Sequence, residues 1–333
     1  MKPINLAQLF TSLTKLAGAV TLAVCMVPAS AQKWDFYTFM PSPIASTKRL
    51  AIMLEDINKE TGGQLAVRMH MGGSLQISTT NITQAVSDNV VQMAEDSFFT
   101  GNIPVSGLLR LPLLIRTDDE FQKATKVIDP LMDAAYKKRG VIMLGRYNFP
   151  PQVLWSNKKL TSLADLKGQK LRVTSPEQAE FLKRFGAASV TIGPPEVAPA
   201  LERGVIEGVL TASSGGGVAW KDVLKYSYRL GVNYVDAVVI VNAESFGKLP
   251  AASQEKVRKI TAAAMPEITA ALRSDEVTLT KKFAAEGIVV TEPSAQEVNE
   301  VGAQFPDYWQ SWAKTRGPEA IEALTKIRAL LGR

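Results

Sequence analysis

The side chains that most often carry catalysis or hold metal ions are scarce in this sequence. Its 333 residues include one His, His70, and one Cys, Cys25. A single copy of each argues against structural zinc, iron–sulfur centres and His-dependent nucleophilic catalysis, although a lone His could still act as a base. His70 ends an alternating stretch, which favours a structural or surface role. No metal and no cofactor is therefore expected.

Carboxylates are closely spaced at two positions. Asp118-Asp119-Glu120 follows Thr117, and Glu120 stands three residues after that threonine, so the pattern predicts a helix capping box rather than a metal site. Glu95-Asp96 follows an apolar stretch and could face a ligand at a strand end. The sequence has no phosphate-binding loop, dinucleotide fingerprint, zinc-protease motif or nucleophile elbow.

Composition places the chain among globular proteins. Hydrophobic residues make up 46% and charged residues 21% of the sequence, and the length suggests about two domains. The net charge of +6 comes from scattered basic residues. The densest basic groups are typical of solvated helix surfaces, so nucleic-acid binding is not predicted.

The first 31 residues have the pattern of a cleavable secretory signal peptide. An apolar run over 16–27 precedes Ala29-Ser30-Ala31, a small-x-small cleavage site ahead of Gln32. The alternatives are an uncleaved anchor and a lipoprotein modified at Cys25, which the bulky Val24 disfavours. We expect a periplasmic protein whose mature form begins at Gln32 and contains no Cys, which excludes a disulfide scaffold.

Strands and helices alternate along the rest of the chain, which predicts an α/β fold with helix-covered sheets. One helix begins at Ser175, with Pro176 at its first position and Gln178 closing a capping box. A long helix is predicted over Ser253–Gly287, interrupted only by Pro266, and a flexible loop or hinge over Ser213–Gly217. The predicted strands are Trp34–Phe39, Gln64–Met71, Val90–Ala94, Val141–Tyr147, Gln152–Ser156, Lys170–Val173, Ser189–Ile192, Gly208–Leu210, Tyr234–Val241 and Val289–Thr291.

Several segments, in order and spacing, resemble one family of transport proteins. The run 165–173, DLKGQKLRV, is similar to the D-L-K-G-x-K-[IL]-R-V segment of TRAP (tripartite ATP-independent periplasmic) transporter solute-binding proteins. The segment 195–208 then matches the family's SEVY-x-ALQxG-x-[VI]-[DE]-G pattern. The segments 61–65 and 71–75 resemble its TGGxL and GxL signatures. The resemblance covers essentially the whole chain after residue 31.

That resemblance implies a two-lobed periplasmic-binding-protein-like fold with a cleft between the lobes. The first lobe would comprise residues 32–148, completed by about 238–270, and the second 149–237, completed by about 271–333. The long helix would cross both lobes. The implied function is capture of a small organic acid by cleft closure and its delivery to a membrane permease. A monomer without catalytic activity is expected.

The family also implies a ligand site. Arg172 occupies the position of the arginine that pairs with a substrate carboxylate, and a guanidinium suits this role because it offers two parallel donors. Without the family, Arg172 could equally pair with an acidic side chain of its own lobe. Gln152 and Thr211 stand where the sialic-acid-binding branch keeps a second arginine and an asparagine. This difference argues against sialic acid.

Further cleft residues are expected in loops after strands. The candidates there are Phe39, Met40, Ser42, Glu95, Asp96, Ser97, Phe98, Arg146, Tyr147, Phe149 and Trp155. Because few polar anchors remain, we expect a compact monocarboxylate with an apolar or aromatic body. Whether Arg146 or the Glu95-Asp96 pair enters the cleft stays open. The alternative functions are a secreted lyase or hydrolase using Asp96 or Glu95 as a base, and a periplasmic ligand sensor.

Overall fold

The computed structural model describes residues 31–333 as two β-sheets with helices around them. The predicted signal peptide lies outside the described residues, except for Ala31. Within the described part, no helix is long and apolar enough to cross a bilayer. The strands are β1 (Gln32–Tyr37), β2 (Leu65–His70), β3 (Met93–Asp96), β4 (Val141–Asn148), β5 (Gln152–Ser156), β6 (Lys170–Val173), β7 (Ala188–Thr191), β8 (Gly208–Thr211), β9 (Tyr226–Asn233), β10 (Asp236–Asn242) and β11 (Val289–Thr291).

Within residues 31–333, eleven α-helices surround the two sheets. The longest, α8, has 35 residues. The helices are α1 (Ala45–Glu60), α2 (Ile82–Ser87), α3 (Asp118–Lys137), α4 (Pro176–Arg184), α5 (Pro194–Glu202), α6 (Val218–Trp220), α7 (Ala243–Gly247), α8 (Ala251–Ala285), α9 (Ala295–Gly302), α10 (Pro306–Arg316) and α11 (Pro318–Leu331). This architecture confirms the predicted α/β class.

The first sheet has the strand order β2-β1-β3-β10-β4. The strands β2, β1 and β3 run parallel, whereas β10 is antiparallel to both of its neighbours. All seven residues of β10 are buried, as expected for an inner strand covered on both faces. A strand from late in the sequence therefore lies between two early ones.

The second sheet has the order β11-β9-β5-β8-β6-β7. Strands β8, β6 and β7 are parallel, and β5 runs antiparallel to both β8 and β9. The amino end of β5 therefore lies at the same sheet edge as the carboxyl ends of β8 and β6. This edge carries the polar side chains of the site described below.

The chain passes between the sheets at three places. The short links 149–151 and 234–235 join strands of different sheets, and α8 contacts α1 and β4 at one end and the glycine-rich turn Ser213–Gly217 at the other. At the carboxyl terminus, α11 packs against α3. The predicted lobe boundaries remain a prediction. The sheets take their strands from 32–148 with 236–242, and from 152–233 with 289–291.

Two local expectations differ from the structure, and two elements were not predicted. Helix α8 continues through Pro266, because the buried Met265 and Ile268 on either side hold it against the core despite one lost hydrogen bond. Ser175 precedes α4 as expected but makes no capping bond, since the side chain of Gln178 turns back to the backbone N–H of Thr174 at 2.7 Å. Strand β9 and helix α10 lacked a clear pattern in the sequence.

Candidate functional site

A cavity of about 100 Å³ lies where the facing edges of the two sheets meet. The first sheet contributes the loops after β1 and β3, and the second contributes the ends of β5, β6 and β8. This is where open α/β sheets usually bind ligands. The lining residues are Phe39, Met40, Pro41, Ile44, Gly72, Ser97, Phe98, Phe149, Gln152, Arg172, Thr174, Pro194, Pro195, Thr211, Gly215, Gly216, Ala219, Trp220 and Val235.

Arg172 is the single charged residue among those that line this cavity in residues 31–333. Its side chain is 3% exposed, and Nε donates to the carbonyl of Ile192 at 2.9 Å. The guanidinium carbon lies 5.8 Å from the ring centre of Phe98 and 5.5 Å from that of Trp220. These contacts hold the planar group in place between two aromatic faces.

No ion pair involving Arg172 occurs within residues 31–333, and its side chain makes a hydrogen bond there only through Nε. Burial lowers the pKa of Arg172 from its ordinary value to about 9, with a smaller opposing effect from the Glu196 carboxylate. A buried guanidinium without an acidic partner is costly. The expectation that Arg172 could pair with an acid of its own lobe is therefore not met in the described residues.

Gln152 and Thr211 add polar groups at the same sheet edge. The amide nitrogen of Gln152 donates to the carbonyl of Pro150 at 3.0 Å. The hydroxyl of Thr211 accepts from the backbone N–H of Gly216 at 2.9 Å, which leaves its hydrogen free to donate. Ser97 contributes a third polar side chain from the opposite sheet, and it is 3% exposed.

The remaining wall is mainly apolar and tightly packed. Phe39 and Phe98 meet edge to face, with ring centres 5.3 Å apart. A Cβ at Gly216 would lie 2.1 Å from the ring of Trp220, so only glycine fits against this indole. All five residues of Ser213–Gly217 are buried. The segment that the sequence predicted as a flexible loop or hinge is thus a packed wall of the cavity.

The two sheets also approach each other at the cavity mouth. A Cβ built on Gly73, which follows β2, would lie 3.2 Å from Cγ of Pro195 at the start of α5. A Cβ on Gly193 would lie 2.9 Å from Cγ2 of Thr79. The loop after β2 and the loop before α5 therefore approach each other closely beside the cavity.

The structure brings together four of the seven main residues that the sequence singled out. Arg172, Gln152, Thr211 and Phe39 all line the cavity. Met40, Ser97, Phe98 and Phe149, which were named as loop candidates, line it as well. Trp220 was missed, because a lone tryptophan in a three-residue helix carries no spacing signal.

Asp96 and its neighbour Glu95 lie below the cavity rather than in it. The carboxylate of Asp96 accepts from Oγ1 of Thr83 at 2.6 Å and from the backbone N–H of Phe98 at 2.8 Å. Glu95 accepts from the hydroxyls of Thr38 and Tyr147. Burial raises the pKa of Glu95 to about 7 and that of Asp96 to about 6. Local donors therefore bind both carboxylates, and neither residue lines the cavity.

Arg146 and Trp155 also lie away from the cavity. Arg146 pairs with Asp236 and with Asp129, whose Oδ1 accepts from its Nε at 3.1 Å, so its charge is already balanced. Trp155 is fully buried behind the cavity wall, where Nε1 donates to the carbonyl of Thr211 at 3.0 Å. It supports the wall from behind.

Residues 40–315 match the model of a protein family described as bacterial extracellular solute-binding protein, family 7. A curated relative, the ectoine-binding periplasmic protein TeaA of Halomonas elongata, is 24% identical over 283 residues. That alignment covers 81% of this chain and 82% of TeaA.

Solved structures of solute-binding proteins are also similar to this chain. DctP7 of Bordetella pertussis, an extracytoplasmic solute receptor binding pyroglutamic acid, superposes with a TM-score of 0.82 at 26% identity. The match covers 90% of this chain and all of DctP7. A TRAP solute-binding protein from Ralstonia eutropha with bound (S)-2-acetolactate reaches 0.81 at 21% identity, covering 89% of this chain and 99% of that one.

Proposed function

This chain belongs to family 7 of the bacterial extracellular solute-binding proteins, the receptors of TRAP transporters, and on that basis we propose that it captures a compact monocarboxylate. The family consists of receptors rather than enzymes, and its members bind small organic acids. What is proposed for this chain is the charge, size and chemical character of its own ligand.

The observation that carries the proposal is the unpaired charge of Arg172. A guanidinium that is 3% exposed and lacks an acidic partner within residues 31–333 favours the binding of an anion from outside the chain. A carboxylate meets this need because it can accept two parallel hydrogen bonds from the guanidinium. One unpaired cation balances one negative charge, which favours a monoacid over a diacid.

The wall of the cavity supports an apolar or planar ligand body. Aromatic rings of Phe39, Phe98, Phe149 and Trp220 border the space, and polar side chains are few. A sugar acid such as glucuronate carries several hydroxyls that would lose water without gaining partners. DctP7 binds pyroglutamic acid, a compact cyclic monoacid, and such acids are the first candidates for this chain as well.

The proposal includes a place and a partner. Ala29-Ser30-Ala31 follows an apolar run, which favours export with cleavage before Gln32. In the periplasm the loaded protein would deliver its acid to the TRAP membrane permease. The close approach of the loops around Gly73 and Pro195 beside the cavity supports capture by closure.

A thermal-shift screen of organic acids, followed by isothermal titration calorimetry, tests the proposal. A ligand at 100 times its Kd adds about 2.7 kcal/mol to the free energy of unfolding, which is easily detected. We expect cyclic, hydroxylated or aromatic monoacids to bind more tightly than succinate or sialic acid. If a diacid or sialic acid binds at least tenfold more tightly than every monoacid tried, the assignment is wrong.

A further inference from the structure

The side-chain oxygen of Gln152 is an acceptor that receives no hydrogen bond within residues 31–333. Gln152 is 4% exposed and lines the cavity. Its Nε2 donates to the carbonyl of Pro150 at 3.0 Å, and this contact fixes the amide orientation, because the reverse assignment would place two acceptors against each other. The Oε1 atom then accepts from no donor within residues 31–333.

The other polar groups of the cavity are suited to the opposite role. Arg172 can only donate, and Thr211 keeps its hydroxyl hydrogen after accepting from Gly216. These groups match the acceptor oxygens of a carboxylate. Gln152 Oε1 cannot serve a carboxylate, since two acceptors repel. Its partner must therefore be a donor elsewhere on the ligand.

The order of the strands sets the distance between the donor groups of Arg172 and the acceptor oxygen of Gln152. Gln152 is in β5 and Arg172 in β6, with β8 between them. Two interstrand spacings amount to about 10 Å between the backbones. The Arg172 and Gln152 side chains both border the cavity from these strands, so a compact ligand can reach both.

We propose that the bound acid carries an N–H or O–H group that donates to Oε1 of Gln152. The site then selects lactam and hydroxy acids over acids of the same shape without a donor. This inference rests on the proposed function, because it takes the carboxylate to lie at Arg172. Gln152 is on this view a specificity-determining residue, whereas Arg172 supplies the general affinity for monoacids.

The sharpest probe is a pair of ligands that differ in one group. Pyroglutamate and 5-oxotetrahydrofuran-2-carboxylate have the same ring and carboxylate, but the second has a ring oxygen in place of the N–H. Mandelate and phenylacetate form a second pair, with and without a hydroxyl. An unsatisfied buried acceptor is costly, so calorimetry should show the donor-bearing acid binding about five- to a hundredfold more tightly in at least one pair.

Two variants of the full chain complete the test. Gln152→Met keeps the length of the side chain but removes the acceptor, and it should reduce the preference within that pair to about twofold or less. Gln84→Met makes the same substitution on the exposed face of α2, away from the cavity, and should leave the preference unchanged. Thermal unfolding confirms that each variant is folded before its Kd values are compared.

The outcomes separate this inference from the proposed function. Equal affinities within both pairs, or a preference that persists in Gln152→Met, would overturn the role of Gln152 while leaving monoacid binding in place. Equal affinities would also indicate that a water molecule satisfies Oε1 in the complex. If no acid of any kind binds to the folded protein, the proposed function itself fails.

Discussion

Replacing Arg172 should separate ligand affinity from the stability of the unliganded protein. Arg172→Ala removes the single charged side chain that lines the cavity within residues 31–333. A ligand carboxylate would then be buried without a partner, at a cost of about 3–5 kcal/mol. At about 1.4 kcal/mol per decade, Kd should rise by roughly two to three and a half orders of magnitude.

Two further substitutions at this position sharpen the prediction. Arg172→Met keeps much of the packing between Phe98 and Trp220 but loses the charge, so it should lose about as much affinity as the alanine variant. Arg172→Lys should also bind poorly, because a point charge cannot make the two parallel bonds of a guanidinium. The loss then follows the geometry and charge of Arg172 rather than its volume.

The stability of the unliganded protein should not fall with ligand affinity when Arg172 is replaced by Met. The guanidinium is buried without an acidic partner, and burial lowers its pKa to about 9, so its charge opposes the closed fold. Without ligand, Arg172→Met should therefore melt at the same temperature as the wild type or higher. Calorimetric titration with the best acid from the screen measures the affinity, and thermal unfolding measures the stability.

The matched control is another arginine with a largely buried side chain. The side chain of Arg146 is 8% exposed but is paired with carboxylates outside the cavity. Arg146→Met should leave Kd within about threefold of the wild-type value while the protein remains folded. A loss below tenfold in folded Arg172→Ala would mean that the carboxylate binds elsewhere, and the site assignment would have to be abandoned.

The remaining predictions concern stability, pH, ligand choice and closure. Arg146→Met should lower the free energy of unfolding by about 1–3 kcal/mol, because the buried Asp236 loses one of two arginine partners and keeps Arg110; an unchanged denaturant midpoint would contradict this. The raised pKa of Glu95, about 7, means that the folded state binds its proton more tightly than the unfolded state. Stability should therefore fall as pH rises from about 4.5 to 7. Glu95→Gln should flatten that part of a plot of melting temperature against pH. The same slope in both proteins would contradict this prediction. Ectoine, whose ring is cationic, should bind more weakly than pyroglutamate because the cavity lining within residues 31–333 contains no carboxylate; a competition titration decides the order. Saturating acid should reduce the radius of gyration measured by small-angle scattering, and an unchanged radius would reject closure but not binding.

Arg172, Gln152 and Thr211 could be singled out from the sequence because the family pattern and its spacing mark their positions. Arg172 lies in a short strand, one residue before its end. The parallel and antiparallel strand directions then bring all three residues to one sheet edge. The positions of these three residues can therefore be inferred from short sequence segments and from the order of those segments.

Partners that are distant in the sequence could not be predicted in the same way. Arg146 had the appearance of a cleft residue, but Asp129 and Asp236 neutralise it from 17 residues before and 90 residues after. Gln178 fitted a capping box but bonds Asn233, 55 residues away. Trp220 enters the site because Gly216 allows its ring to approach. In each case tertiary packing decides between local alternatives.

The position of β10 has a consequence for the order in which the protein can fold. This strand lies between β3 and β4, and β4 pairs with it rather than with any earlier strand. A chain that ends before residue 236 leaves one edge of β3 and both edges of β4 unpaired. The complete first sheet can thus form only after almost three-quarters of the residues are available, and such long-range pairing slows folding. A fragment of residues 32–235 should expose these edges and aggregate, which would be visible by light scattering, whereas the full chain should not.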